Sequence, residues 1–465
     1  MKSTSIFVVA LLLTPVIWAA AVSIEDDGMV NVEGKRLFVL GLYENPGDDI
    51  RLGEVAAAGF NLVYGSANAE SINRLWEQGL YSWVNTGAAI DFSDTPEQGK
   101  EKLGKMVAEL AGLPGLLVWE VPDEALWNAW YRAELWRHST ELHQQRKLID
   151  ALTDTALQEK INAMRLELEA AYGMAQEEIG EQIANAIWHE LGKESPHPEL
   201  NVSNAPERAA KLGKGMIAGY AFLKDADPAH PIWMNHAPRN SIEQLAFFNR
   251  GADIVGCDIY PVLLGKTGHS DLGNRTLACV GDYTRRMQAA APEKPVWMVL
   301  QGFGWAALNR KTEDEIRQPK PKESRFMAYD AIVNGARGIL YWGTASIDKG
   351  TDFWMELCAL ITELNGMQSV LAAQDAALEV EVTLAETWGS LDRGVRVLPK
   401  QVGDRVYLIV VNEWCDPLHY TLSGLDSLNG ISYRDTTTGV TAFVEQGTLT
   451  LPIRKYGVHV LQPVG

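Results

Sequence analysis

Cysteine is scarce in this sequence: the chain has four cysteines in 465 residues and no C-x-x-C pair. Cys257 and Cys358 lie in apolar runs, which is typical of buried thiols, and nothing in the sequence pairs Cys279 with Cys415. The sequence also lacks an H-E-x-x-H motif and any cluster of histidines. We therefore expect no disulfide framework, no metal site and no other cofactor.

Basic residues are few as well. The chain has 41 Lys and Arg against 60 Asp and Glu, a formal net charge of −19, and no basic run beyond the N-terminus. Nucleic acids and anionic lipids attract clusters of positive charge, so neither is expected as a partner. The composition fits a soluble protein that meets neutral substrates. Hydrophobic residues make up 46% of the chain, enough for the core of one large domain and a smaller one.

The N-terminus has the pattern of a secretory signal. Lys2 supplies a short positive region, residues 6–18 an apolar region, and residues 19–21 the small side chains of a cleavage zone. We predict a signal peptide over residues 1–21, export to the periplasm or the cell exterior, and no membrane association after cleavage. An uncleaved membrane anchor is the alternative, but the apolar run is short for a bilayer span.

After the leader, short apolar runs alternate eight times with helical patterns. The runs are continuous rather than alternating, which is typical of parallel strands buried on both faces. Eight strand–helix units predict a (β/α)8 TIM barrel over residues 29–371, with a polar helical insertion after strand four at about residues 125–200. An open doubly wound sheet would need a phosphate-binding glycine loop after its first strand, and none is present. Period-two strands then predict an antiparallel β-sandwich over residues 376–465.

Barrels of this kind carry their chemistry at the C-terminal ends of the strands. The polar and aromatic residues predicted there are Glu44, Asn85, Asp123, Glu124, Asn235, His236, Asp258, Tyr260, Gln301, Tyr341 and Trp342, with Trp305 nearby. Carboxylates, amides and aromatic faces around one cavity suit a polyol, because sugar hydroxyls need donors and acceptors and pyranose faces stack on rings. These residues predict a carbohydrate site and glycoside cleavage, which needs a protonated carboxyl group beside the leaving oxygen.

Three stretches carry a family resemblance. "GLLVWEVPDEALW" resembles the fourth-strand motif of (β/α)8 glycoside hydrolases related to cellulases and β-galactosidases, "DIVGCDIYP" is similar to their sixth strand, and "GILYWG" to their eighth. The resemblance implies that Glu124 is the general acid/base, that Asp123 replaces the Asn that binds the sugar 2-hydroxyl, and that Trp342 is a stacking platform. It also implies that Gln301 stands where the family keeps a nucleophilic Glu. A neutral amide cannot form the glycosyl ester.

The glutamine leaves several mechanisms open. Asp258 or Glu44 could supply the second carboxylate, in an inverting reaction if the spacing allows water between the carboxyl groups. The Asp123–Glu124 pair also resembles that of retaining hexosaminidases, in which the acetamido oxygen of the substrate attacks. A third alternative is a barrel that binds carbohydrate without cleaving it. In a fourth, the strand-seven register differs, Gln301 only hydrogen-bonds a loop, and Glu313 or Glu315 reaches the cavity. We predict Glu124, Asp123 and Asp258 as catalytic and the other strand-end residues as sugar-binding.

Overall fold

The computed structural model describes residues 22–262, 273–305, 317–347, 349–386 and 393–464. The predicted signal peptide and the two alternative acids, Glu313 and Glu315, lie outside the described residues. Within these ranges, no helix combines the length and the apolar character needed to cross a bilayer. All four cysteines are free thiols: Cys257 and Cys279 are buried, Cys358 is half-buried and Cys415 is exposed.

A small antiparallel sheet precedes the barrel. It consists of β1 (Val22–Ile24), β2 (Val30–Val32) and β3 (Lys35–Leu37). Arg337, at the N-terminal end of the last barrel strand, donates from Nε to the Asp27 carbonyl oxygen at 3.0 Å, so this sheet lies at the end of the barrel opposite the strand C-termini. The sequence patterns did not predict this sheet, because its strands are only three residues long.

Eight parallel strands then form a closed barrel in chain order. The first to eighth strands are β4 (Val39–Leu42), β5 (Leu62–Tyr64), β6 (Tyr81–Asn85), β7 (Leu116–Glu120), β8 (Ile232–His236), β9 (Ile254–Ile259), β10 (Val296–Gln301) and β11 (Ala336–Trp342). Every residue of β7 to β10 is buried, which explains why these segments are continuous apolar runs. The predicted barrel is confirmed.

Large indole rings fill the barrel interior. Trp233 lies 6.0 Å from Trp83 and 5.4 Å from Trp297 between ring centroids. Gly256 on β9 lets the backbone of the next strand approach closely, since a Cβ atom there would lie 1.7 Å from the Trp297 carbonyl oxygen. The interior is therefore a packed core, and the strand C-termini project above it.

Helices surround the barrel and form the insertion. They are α1 (Asp49–Ala58), α2 (Ala69–Glu77), α3 (Pro96–Leu110), α4 (Ala125–Leu135), α5 (Glu141–Asp150), α6 (Thr155–Gly173), α7 (Glu177–Glu190), α8 (Ala205–Ala226), α9 (Ile242–Phe248), α10 (Cys279–Ala290), α11 (Pro321–Val333), α12 (Asp352–Gly366) and α13 (Gln368–Leu371). Capping residues mark both ends of α1. Asp48 accepts from the Arg51 N–H at its start, and Gly59 ends the helix in the left-handed conformation.

The predicted insertion after strand four is confirmed, and it consists of α4 to α7. It has its own small core of buried residues, namely Ile149, Ile161, Leu168, Ala184 and Ile187. Arg137, in a π-helical turn between α4 and α5, is completely buried and donates to the equally buried Glu141 at 2.8 Å. Its Nε also donates to the Leu200 carbonyl oxygen at 2.9 Å, so this ion pair links the start of the insertion to its end.

The C-terminal domain is the predicted antiparallel sandwich. One sheet contains β12 (Gln374–Asp375), β14 (Val395–Val402), β15 (Arg405–Asn412), β20 (Val458–Val464), β17 (Ser432–Asp435) and β18 (Thr441–Phe443); the other contains β13 (Glu381–Leu384), β16 (Leu418–Ser423) and β19 (Leu449–Ile453). Alternate residues of β16 and β19 are buried, as their sequence periodicity predicts. Arg325 on α11 donates to the Val458 carbonyl oxygen at 3.2 Å and thereby joins the barrel to the sandwich.

Candidate active site

The turn after β7 places two acids above the barrel. Asp123 and Glu124 follow the end of the strand, and Glu124 directly precedes α4. Glu124 has φ 49° and ψ 32°, a left-handed backbone conformation that residues other than glycine rarely adopt. Its N–H donates to the Asn235 carbonyl oxygen at 3.2 Å, and its carbonyl oxygen accepts from the Asn128 N–H at 2.8 Å. These contacts hold a costly backbone conformation in place, as is typical of functional positions.

Glu124 and Asp258 form a hydrogen-bonded pair of carboxyl groups. Asp258, near the end of β9, is 4% exposed, and burial together with the Glu124 charge raises its pKa well above the ordinary value. Burial and the negative charge of Asp123 raise the pKa of Glu124 to about 7, although the hydrogen bond to Asp258 opposes this rise. A pKa of about 7 leaves Glu124 partly protonated at neutral pH, so it can act as a proton donor.

The short contact between these two groups limits the role of Asp258. Retaining glycosidases keep their two carboxyl groups about 5 Å apart, and inverting enzymes keep them about 6.5–9.5 Å apart. Two carboxyl groups joined by one hydrogen bond are closer than either spacing. As it stands, the pair has neither of these spacings, and the catalytic role predicted for Asp258 stays a prediction.

Asp123 is exposed at the barrel mouth, and two neighbouring side chains hold its carboxyl group. Its Oδ1 accepts from the buried Asn235 Nδ2 at 2.9 Å, and it also hydrogen-bonds the Tyr43 hydroxyl. Surrounding protein atoms crowd the carboxyl group and raise its pKa, against the lowering effect of these two hydrogen bonds, while one side of the residue stays exposed. Asp123 therefore presents an anchored carboxyl group at the barrel mouth.

Glu120 is an acid that the sequence analysis missed. It is the last residue of β7 and is completely buried, with the Tyr43 hydroxyl and the Asn85 Nδ2 (2.6 Å) as hydrogen-bond partners. Burial, followed by the charge of Asp123, raises its pKa well above the ordinary value. A signal was present in the sequence, because Glu120 interrupts the apolar run "GLLVW" where the strand ends. Asn85, predicted to bind sugar, is half-buried and donates to Glu120 in this structure.

Gln301 ends β10 at the predicted position, but its side chain serves the backbone. Its Oε1 accepts from the Val262 N–H at 2.8 Å, and its Nε2 donates to the carbonyl oxygens of Val262 (3.2 Å) and Phe303 (3.1 Å). The residue has no exposed surface. The amide thus joins the loop after β9 to the loop after β10, as in the alternative in which it hydrogen-bonds a loop, while the strand register is the predicted one.

Aromatic rings line the same side of the mouth. Tyr260 stacks on Trp342 at 5.6 Å and 20°, and Phe303 lies 5.1 Å from Trp305 in an edge-on arrangement. The Tyr260 hydroxyl also hydrogen-bonds the Asp258 carboxyl group. The structure therefore brings three of the predicted sugar-binding residues together as one ring cluster beside the acid pair.

Three predicted residues lie apart from this group. His236 is buried and bonds Asn249 Oδ1 through Nε2 at 2.8 Å, and burial lowers its pKa to about 4. Tyr341 is fully buried, and it faces away from the side that Trp342 faces because side chains alternate along β11. Glu44 is half-buried at the end of β4, where it accepts from the Thr344 hydroxyl, and burial raises its pKa.

Metal binding has no visible support in the mouth. Among the residues that the structure describes, no three His, Cys, Asp or Glu side chains are arranged to hold a metal ion.

A (β/α)8 barrel followed by an antiparallel β-sandwich is a fold that this chain shares with solved glycoside hydrolases. No family model and no curated protein matches the chain by sequence. Its fold is similar to that of a β-galactosidase from Bacillus circulans sp. alkalophilus, with a TM-score of 0.52 and 11% identity over 92% of this chain and 99% of the other.

Two further solved structures have the same fold. A GH42 β-galactosidase from G. stearothermophilus gives a TM-score of 0.51 and 10% identity, covering 92% of this chain and 98% of the other. A glycoside hydrolase of family 5 from Bacteroides vulgatus gives 0.51 and 12%, covering 96% and 93%. The predicted likeness to barrel glycoside hydrolases is therefore confirmed at the level of the fold.

Proposed function

We propose that this chain is a glycoside hydrolase that cleaves O-glycosidic bonds of an oligo- or polysaccharide, with Glu124 as the proton donor. The observation that carries the proposal is the pairing of Glu124 with Asp258 beside Asp123 at the strand ends, where burial keeps a proton on the pair near neutral pH. A general acid needs that protonation state at its working pH. The half-buried ring of Trp342, which stacks on the buried Tyr260, supplies a face on which a pyranose can stack.

The second half of the reaction is assigned to the substrate. Gln301 offers no nucleophile, and the hydrogen bond that joins Asp258 to Glu124 argues against Asp258 as a separate, opposing carboxylate. We therefore propose a substrate with a 2-acetamido group. Its N–H is bound by the Asp123 carboxylate, and its carbonyl oxygen bonds to the anomeric carbon as the glycosidic bond breaks. The leaving oxygen takes the proton of Glu124, and Glu124 then accepts a proton from the water that hydrolyses the cyclic intermediate.

The test is a substrate comparison. Wild type should cleave aryl 2-acetamido-2-deoxyglycosides and oligosaccharides that contain them, whereas the corresponding aryl glucosides and galactosides should be poor substrates. Glu124→Gln should remove most of the turnover on natural leaving groups. Glu381→Gln, at an exposed position on β13 of the sandwich, is the matched control and should behave as wild type. Turnover that survives Glu124→Gln would refute the assigned acid, and equal activity on plain glycosides would refute substrate assistance.

A non-catalytic carbohydrate-binding protein is the second candidate. The observation in its favour is Gln301, whose amide is fully occupied at the position where related barrels keep a nucleophile. Such a protein would bind oligosaccharides in calorimetry and lose affinity on Trp342→Ala, yet show no turnover on any member of the substrate panel. Turnover that depends on Glu124 would exclude it.

We also propose that the protein is exported after cleavage within residues 19–21. The support is the leader pattern of a positive residue, an apolar segment and small residues. N-terminal sequencing of protein recovered from the periplasm or the culture medium should begin near residue 22. A mature chain that begins at Met1 would contradict the proposal.

A further inference from the structure

We propose that Glu120 is a positioning residue: a neutral carboxylic acid that acts through the Tyr43 hydroxyl to hold Asp123 as an ionised hydrogen-bond acceptor. The proposal rests on the function assigned above, since its purpose is to keep Asp123 ready to bind the substrate N–H. The contacts of Glu120 and Tyr43 carry it, together with a count of the protons that these groups can donate.

The surroundings of Glu120 disfavour a negative charge. The side chain has no exposed surface, and its hydrogen-bond partners are a neutral amide, Asn85 on β6, and a neutral hydroxyl, Tyr43 after β4. The charged group that acts on it is another acid, Asp123, from the turn after β7. The rings of Trp83 and Trp233, at 4.8 and 5.3 Å, enclose Tyr43 on its other sides. An isolated carboxylate in such a place is costly, whereas a protonated carboxyl group is not.

A count of donors and acceptors fixes which group donates in each hydrogen bond from Asn85 through Glu120 and Tyr43 to Asp123. Asn85 donates from Nδ2 to Glu120 Oε2 at 2.6 Å, so Oε2 is an acceptor. The proton of a neutral Glu120 is then on Oε1, which meets the Tyr43 hydroxyl and donates to its oxygen. Tyr43 has one proton of its own, and that proton becomes available for Asp123. If Glu120 were ionised, two carboxylates would compete for the same hydroxyl proton.

The consequence falls on Asp123. It receives hydrogen bonds from Tyr43 and from Asn235 Nδ2 (2.9 Å), and both favour its ionised form against the crowding that disfavours it. The two donors also fix the orientation of the carboxylate, leaving its exposed side for a ligand. Glu120 touches no substrate in this scheme; it acts by setting the direction of the Tyr43 hydroxyl.

Two substitutions at Glu120 test the protonation state through activity. Glu120→Ala should lower kcat/KM by about 5- to 10-fold, the usual effect of losing one neutral hydrogen bond, because the Tyr43 hydroxyl is no longer held in the direction of Asp123. Glu120→Gln should restore kcat/KM to within a few-fold of wild type, because its amide oxygen can accept from Asn85 while its NH2 donates to Tyr43. Equal loss in both variants would overturn the proposal, since it would mean that a charge at Glu120 is needed.

A readout without turnover separates this proposal from the proposed function. The infrared difference spectrum of wild type minus Glu120→Gln at pH 7 should contain the carbonyl stretching band of a protonated carboxylic acid, and Tyr43→Phe should shift that band. A difference spectrum with only carboxylate bands would overturn the proposal even in an active enzyme. The expected band in a protein that cleaves no sugar would support the neutral Glu120 and count against the proposed function alone. Should Glu120→Ala fail to fold, the spectra of the other two variants still decide.

Discussion

Replacing Glu124 by Gln should remove activity and at the same time make the protein more stable at alkaline pH. Folding raises the pKa of Glu124 from its ordinary value of 4.5 to about 7, mainly through burial and secondly through the charge of Asp123. Between these two pH values the folded state holds a proton that the unfolded state has lost, so stability falls as pH rises through this window. Above pH 7 the wild type has lost about 3 kcal/mol relative to pH 4, at 1.36 kcal/mol per pKa unit.

The Gln variant has no such proton to lose. For a chain of 465 residues the entropy of unfolding is about 1 kcal/mol per degree, so 3 kcal/mol corresponds to about 3 °C in melting temperature. We expect Glu124→Gln to melt about 3 °C higher than wild type at pH 8 and at nearly the same temperature at pH 4, as measured by calorimetry. Glu381→Gln, on the exposed face of the sandwich, should match wild type at both pH values. A Glu124→Gln variant that is no more stable than wild type at pH 8 would refute the reasoning that a buried, charge-coupled carboxyl group lies at this position.

Three further predictions concern residues around the mouth. Gln301→Glu should lower the free energy of unfolding by about 3–5 kcal/mol in denaturant titrations and should create no glycosidase activity, because a buried carboxylate would face the carbonyl oxygens of Val262 and Phe303; a stable, active variant would contradict this. Trp342→Ala should weaken oligosaccharide binding to the inactive Glu124→Gln protein by about tenfold in calorimetry, the loss expected for a stacking ring, and unchanged affinity would remove Trp342 from the site. His236→Gln should lose less stability than wild type between pH 7 and pH 4.5, because burial lowers the pKa of His236 from 6.5 to about 4 and the unfolded chain alone takes up a proton in that window; parallel pH profiles would count against this.

The architecture could be predicted from the sequence because a strand that is buried on both faces is a continuous run of apolar residues. Segments such as "PVWMVL" are apolar throughout, while "LHYTLS" in β16 alternates, and these two patterns separated the barrel from the sandwich. The direction of a side chain at a strand end leaves no such pattern. Gln301 and Asp123 are both polar residues at or after the ends of buried strands, yet the first hydrogen-bonds two loops and the second is exposed at the barrel mouth. Glu120 was overlooked because it stands inside an apolar run.

The two loops that Gln301 joins explain why this residue is an amide rather than an acid. They present one N–H and two carbonyl oxygens to this side chain, and an amide can accept from the first and donate to both of the others. A carboxylate could satisfy only the N–H, so a nucleophilic acid here would require both loops to adopt different conformations. The same loops carry the rings of Tyr260 and Phe303, which contact each other. A loop conformation that suits a nucleophilic acid on strand seven would therefore displace these rings. The hydrolysis proposed above would therefore draw on the acids that follow or end strands four and six, namely Asp123, Glu124 and Asp258.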